Sequence, residues 1–142
     1  FLSVPLIYSI NTLLNSKLQS KHMKLAPSLK PKKRYILFKI LPETKGKTFW
    51  KREVIEALEQ QIIKCFGIFM HAKASPMIVK ETFEEKSGQI IIKVGHKYTD
   101  ELKVALALLK QIKDHNVTIE AISTSGILKK LKERMHHQTG KA

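Results

Sequence analysis

The chain has 142 residues, long enough for one domain with a real core and too short for two independent ones. Its 26 Lys and Arg against 12 Asp and Glu leave a net charge of +14, which draws the molecule to polyanions and argues against a small-metabolite domain. Nucleic acid is favoured over an anionic membrane, because the folded stretch carries neither a strong amphipathic anchor nor a lipidation motif.

Residues 1–22 are apolar, rich in Ser and Asn, and begin with Phe1. They lack the basic start of a signal peptide, carry Pro5 in the apolar run, and are too short and too interrupted by Asn11 and Asn15 to span a membrane. The expectation is an extension that is disordered or not native, with Met23 as a natural start. Residues 23–33 form a basic arm kept extended by Pro27 and Pro31. Residues 34–135 form a single α/β domain, and residues 136–142 a fraying tail.

Residues 35–41 alternate Ile36, Phe38 and Ile40 against Tyr35, Leu37 and Lys39, the period of a strand, which Pro42 ends. Gly46-Lys47-Thr48 has the tail of a phosphate-cradling loop. Leu41 stands where its first glycine is needed, so the stretch reads as a basic loop and not a nucleotide site. With Thr48 as N-cap, the helix to Phe66 puts Trp50, Val54, Leu58, Ile62 and Cys65 on one face, widened by Ile55 and Phe66. Gly67 stops it. Cys65, the single cysteine, excludes an internal disulfide and reads as a core filler in a reducing compartment.

Residues 77–83 and 89–94 are the strands of a hairpin around the polar turn 84–88. Thr99 or Asp100 caps a second helix carrying Leu102, Ala105, Leu106, Leu109 and Ile112 at helical spacing. Asp114, His115 and Asn116 turn the chain, and residues 117–122 make the fourth strand. A basic helix from about Ser125 directs Ile127, Leu128, Leu131 and Met135 inward and Lys129, Lys130, Lys132 and Arg134 outward.

The order β-α-β-β-α-β predicts an α/β fold of the α+β sandwich type. It is ferredoxin-like and RRM-like, with an antiparallel sheet, two helices on one face and an added C-terminal basic helix. The third strand offers no aromatic for base stacking, which disfavours reading single-stranded bases on the sheet. The spare face, with Leu37 and Ile91, needs the last helix or a protein partner to close it.

Two basic clusters point to phosphate. One is Ser123, Thr124, Ser125 and Gly126 ahead of Lys129 and Lys130, where a helix start offers unpaired N–H groups. The other is Lys30, Lys32, Lys33 and Arg34 in the arm, and His96-Lys97 at a strand end extends the surface. Only Arg34, Arg52 and Arg134 are arginines, so lysine dominates, which favours the phosphate backbone over base edges. The bland alternative is a solvated helix face and tail. Histidine spacing shows no metal motif, and Glu84-Glu85 reads as a turn, so neither a metal site nor a catalytic residue is expected.

The strings RYILFKI at 34–40, VGHKYTDELKVALALLKQI at 94–112 and VTIEAISTSGILKKLKE at 117–133 resemble the archaeal ribonuclease P protein component 2 family over about residues 24–135. The resemblance implies a cytoplasmic, non-catalytic accessory subunit of an endoribonuclease that removes the 5′ leader from precursor tRNA. It further implies binding to ribonuclease P RNA, with Mg2+ chemistry on that RNA and no cofactor on this chain, and pairing with protein component 3 in a heterotetramer. By matching position, residues 123–130 and Lys32-Lys33-Arg34 are expected to face RNA. The alternatives are a general structured-RNA-binding, chaperone or ribosomal-type module, and a ferredoxin-like protein-interaction or ligand domain, which the charge disfavours.

Overall fold

A computed structural model describes residues 32–139; the expectations for residues 1–22, for the arm through Pro31 with Lys30 in it, and for residues 140–142 lie outside that range. Ile36, Leu37 and Phe38 are each no more than 1% exposed, a run that a strand reaches only when both its faces are covered. They belong to β1 (Lys33–Pro42), the axis of the sheet. The others are β2 (Met77–Glu84), β3 (Gln89–Gly95), β4 (Gln111–Ile112) and β5 (His115–Ser125). All pairs are antiparallel, in the order β2-β3-β1-β5-β4. Without the short β4 this is the expected ferredoxin-like order.

One face carries α1 (Lys51–Ala74) and α2 (Thr99–Ala107) over Ile36, Phe38, Ile40, Ile90, Ile92 and Ile119. Val54, Leu58, Ile62 and Phe66 of α1 point into this core as predicted. Thr48 is not the cap: Trp50 holds the N-cap position without a side-chain hydrogen bond, and buried Phe49 anchors the helix start. Trp50 and Cys65 are exposed instead of inward, because Trp50 precedes the helix and Cys65 lines an open groove between α1 and α2. Gly67 breaks the helix, with φ 72° and ψ 177°, but helical turns resume as far as Ala74. Ser75 in the left-handed region and Pro76 then end it.

After β3, His96–Tyr98 forms a 3-10 turn leading into α2, whose N-cap is Tyr98 and neither Thr99 nor Asp100. The helix stops at Ala107, sooner than the spacing predicted. Leu109 and Ile112 still reach the core, Ile112 from β4. Lys113 and Asp114 both have positive φ, 49° and 67°, and pair Ile112 with His115 across a two-residue turn of the mirror-image type that suits strand twist. The expected turn at 114–116 is therefore shifted, and His115 already belongs to β5.

Strand β5 also runs three residues beyond the predicted end. Phe38 faces Ala121 and Leu37 faces Ser123, so Ile122 is an extra residue that forms a bulge. On the far face lies α3 (Leu128–Thr139), whose Leu131 and Met135 close over Leu37 and Ile91. That is the closure expected of the last helix. It begins at Leu128 and not near Ser125, and it leaves Ile127 53% exposed. Its backbone continues through His136–Thr139, where a frayed tail was expected.

The β2–β3 hairpin is fitted to β1 by Gly88. Its φ is +69°, a Cβ would stand 2.6 Å from the Ile40 carbonyl oxygen, and Ile40 N–H donates to its carbonyl at 2.8 Å. Where β2 departs from regular pairing after Val79, the buried Thr82 hydroxyl donates to Val79 O at 2.6 Å and accepts Ile91 N–H at 3.0 Å.

Candidate nucleic-acid interface

Antiparallel pairing decides which basic residues meet. Lys33 lies opposite Gly95, and Tyr35 lies opposite Ser125. The start of β1, the end of β3 with its 3-10 turn, and the end of β5 therefore share one end of the sheet. Of the predicted residues, Lys32, Lys33, Arg34, His96, Lys97, Ser125 and Gly126 come together there. The first turn of α3, with Lys129 and Lys130 both exposed, follows Gly126 after the single residue Ile127.

Backbone contacts tie the cluster down. His96 N–H donates to Lys32 O at 2.9 Å, and His96 Nδ1 lies 3.2 Å from the same oxygen. A carbonyl only accepts, so this contact places the imidazole proton on Nδ1 and leaves Nε2 for another partner. Arg34 lies against Gly126, where a Cβ would stand 2.7 Å from its Nη1. The glycine thus makes room for the guanidinium.

The Lys33 ammonium is held below the usual lysine value, first by burial and second by the neighbouring Lys93 ammonium. Lys93 was missed as a site residue. The signal was available, since strand alternation puts it on the face of Leu37 and Ile91, directly opposite Tyr35. Two like charges gathered at a strand end are relieved by an anion, and a phosphate supplies one.

Ser123, Thr124 and Ser125 sit in the β5 ladder opposite Leu37, Ile36 and Tyr35, and not at a helix start. Ser125 Oγ accepts the Ile127 N–H at 3.1 Å, and Arg134 Nη1 donates to Ser123 Oγ. Two of the three hydroxyls therefore brace the β5–α3 joint. Arg134 is exposed, as expected, while its guanidinium reaches back to the strand. The groups left for an anion here are the lysines and the first N–H groups of α3, which have no partner inside the helix.

Among the described residues no group of three or more His, Cys, Asp or Glu is placed to hold a metal ion, and no helix is long and apolar enough to cross a membrane.

Residues 34–136 match the Rpp14/Pop5 family. Ribonuclease P protein component 2 of Thermococcus kodakarensis is 32% identical over 123 residues, covering 87% of this chain and 98% of that protein. The protein of the same name from Pyrococcus furiosus is 32% identical over 116 residues, covering 82% and 92%. A chain in the cryo-EM structure of yeast ribonuclease MRP superposes with a TM-score of 0.54 at 12% identity, over 80% of this chain and 98% of that one, which shows a shared fold. A match across nearly all of the folded stretch, with relatives aligned over almost their whole length, places this chain in the Rpp14/Pop5 family of ribonuclease P protein subunits.

Proposed function

We propose that this subunit grips the backbone of ribonuclease P RNA and cuts nothing itself. The observation that carries the reading is the gathering of Lys32, Lys33, Arg34, His96, Lys97, Lys129 and Lys130 around one end of the sheet. Such a surface binds phosphates by charge, with little regard to sequence. In this reading the RNA carries the Mg2+-dependent chemistry that removes the 5′ leader from precursor tRNA, and the protein steadies the RNA in the cytoplasm.

A protein partner fits the helical face of the molecule. The groove between α1 and α2 is lined by Cys65, Met70, Val104 and Leu108 together with the carboxylates Asp100 and Glu101, with a volume of about 520 Å3. Val104 and Leu108 are 59% and 57% exposed. A surface this apolar on so charged a chain suits protein component 3, as in the heterotetramer that the family resemblance implies.

Salt titration of Lys129→Ala/Lys130→Ala against the RNA subunit tests the backbone grip. Binding should weaken alike across sequences, and the slope of log K against log salt should flatten by up to about two units. Unchanged affinity and slope would make α3 a cap for the sheet and nothing more.

A further inference from the structure

Trp50 is the single tryptophan of the chain, and it is 73% exposed. Neither packing nor capping explains it. It sits at the N-cap of α1 with extended backbone, φ −65° and ψ 142°, and makes no side-chain cap bond. Its neighbour Phe49 anchors the helix in the core at 6% exposed. An indole left in water gives up the burial that makes tryptophan favourable, so its exposure points to a ligand.

The sequence around it is basic. Residues 44–52 carry Lys45, Lys47, Lys51 and Arg52 and no acid. The flanking acids have other roles: Glu43 accepts from Asn116 Nδ2 at 2.6 Å, and Glu53 complements the N-terminus of α1. Arg52 is paired with Glu56 at 3.2 Å, which leaves Lys45, Lys47 and Lys51 as the cations of the loop. The same loop walls a cavity of about 530 Å3, lined also by Lys39, Lys86 and Ser87, with Glu85 as its one acid. Trp50 itself lines a hollow along α1 that balances Lys51, Arg52 and Lys80 against Glu56, Glu59 and Glu85; the cavity on the other side of the loop, where Lys39, Lys47 and Lys86 face Glu85 alone, is the net positive one.

We propose that Trp50 and residues 44–52 form a second RNA contact that takes an unpaired nucleotide, its base stacked on the indole and its phosphates on Lys45, Lys47 and Lys51. An exposed aromatic ring set among lysines is how proteins hold single strands without reading their sequence. This contact lies at the opposite end of β1 from the Lys32–Arg34 cluster, ten residues and roughly 30 Å away at ~3.3 Å per residue. It rests on the reading that the chain binds RNA, and it adds a contact with unpaired nucleotides that the phosphate cluster does not supply.

Because Trp50 is the single tryptophan, the full chain reports on its own site. Titration with a short single-stranded RNA, such as decauridylate, should quench Trp50 emission, and added salt should reverse the quenching. Trp50→Leu should weaken binding of that oligonucleotide by roughly 5- to 150-fold, the range expected for losing one stacked base, and Trp50→Phe should restore most of it. Unchanged emission on binding, or equal affinity of the Leu variant, would overturn the proposal. If Lys129→Ala/Lys130→Ala still weakened binding in that case, the RNA reading of the other end would stand alone. Emission that shifts with protein concentration and not with RNA would assign Trp50 to a protein contact and overturn it as well.

Discussion

The Thr82 hydroxyl does the work of a missing ladder bond. It meets the Ile91 N–H in the sheet interior, where an unpaired donor has no water to turn to. Thr82→Val keeps the shape and removes that acceptor, so denaturant unfolding should show a loss of about 1–3 kcal/mol, and Thr82→Ser a smaller one. Gly88 is constrained twice over, by its positive φ and by the Ile40 carbonyl. Gly88→Ala should destabilise by about 1–3 kcal/mol. His71 gives the fold a pH dependence. Burial holds its imidazole below the ordinary value of 6.5, so the unfolded chain takes up a proton more readily than the folded one. The stability tied to the neutral ring is complete above 6.5 and is lost as pH falls through 6.5 toward the depressed native value. Unfolding midpoints measured from about pH 7.5 down to about pH 5 should fall, and His71→Gln should flatten that fall.

Among the elements, α3 acts both as a lid and as a carrier of charge. Leu131 and Met135 cover Leu37 and Ile91, while Lys129 and Lys130 stay in water. Leu131→Ala should cost about 2–5 kcal/mol in unfolding free energy, as truncation of a buried leucine does, and should weaken RNA binding with every lysine retained. The alternation of Ile36, Phe38 and Ile40 with Leu37 made β1 and its two covered faces legible in the sequence. The stripe of Val54, Leu58 and Ile62 did the same for α1. The end of α2 was not legible, because Leu109 and Ile112 continue the helical spacing and no glycine marks the turn at Lys113-Asp114. Two residues held in the left-handed region there are a tertiary outcome, imposed by pairing with β5. The start of α3 was misplaced for a related reason. Ser123-Thr124-Ser125 looks like a cap, yet the bulge at Ile122 lets β5 run on through it. The basic clusters were legible as charge, and His96-Lys97 was expected to extend that surface; strand register supplies the reason, since Lys33 pairs with Gly95 just ahead of His96.

At the scale of the whole molecule, one basic cluster gathers at an end of the sheet, and an open, mainly apolar groove lies between α1 and α2. In the proposed reading, the first takes RNA and the second takes a protein. The isolated chain should therefore show no cleavage of precursor tRNA. Adding the RNA subunit and protein component 3 should restore Mg2+-dependent processing, read as the appearance of the mature 5′ end. RNA-free protein that produced that end would refute the accessory role. The bulge at Ile122 has a further consequence. It divides β5 into a first half seated in the main core through Val117 and Ile119, and a second half that continues into α3. The seam under α3 is small, with four buried side chains, Leu37, Ile91, Leu131 and Met135. Its cooperativity with the rest of the fold is correspondingly weak. Amide hydrogen exchange should divide along that line, with the amides of Ser123–Ser125 and α3 trading protons for deuterons well before those of Ile90–Ile92. Bound RNA should slow the first group and leave the second unchanged, because gripping a phosphate at this joint turns a locally opening unit into a closed one.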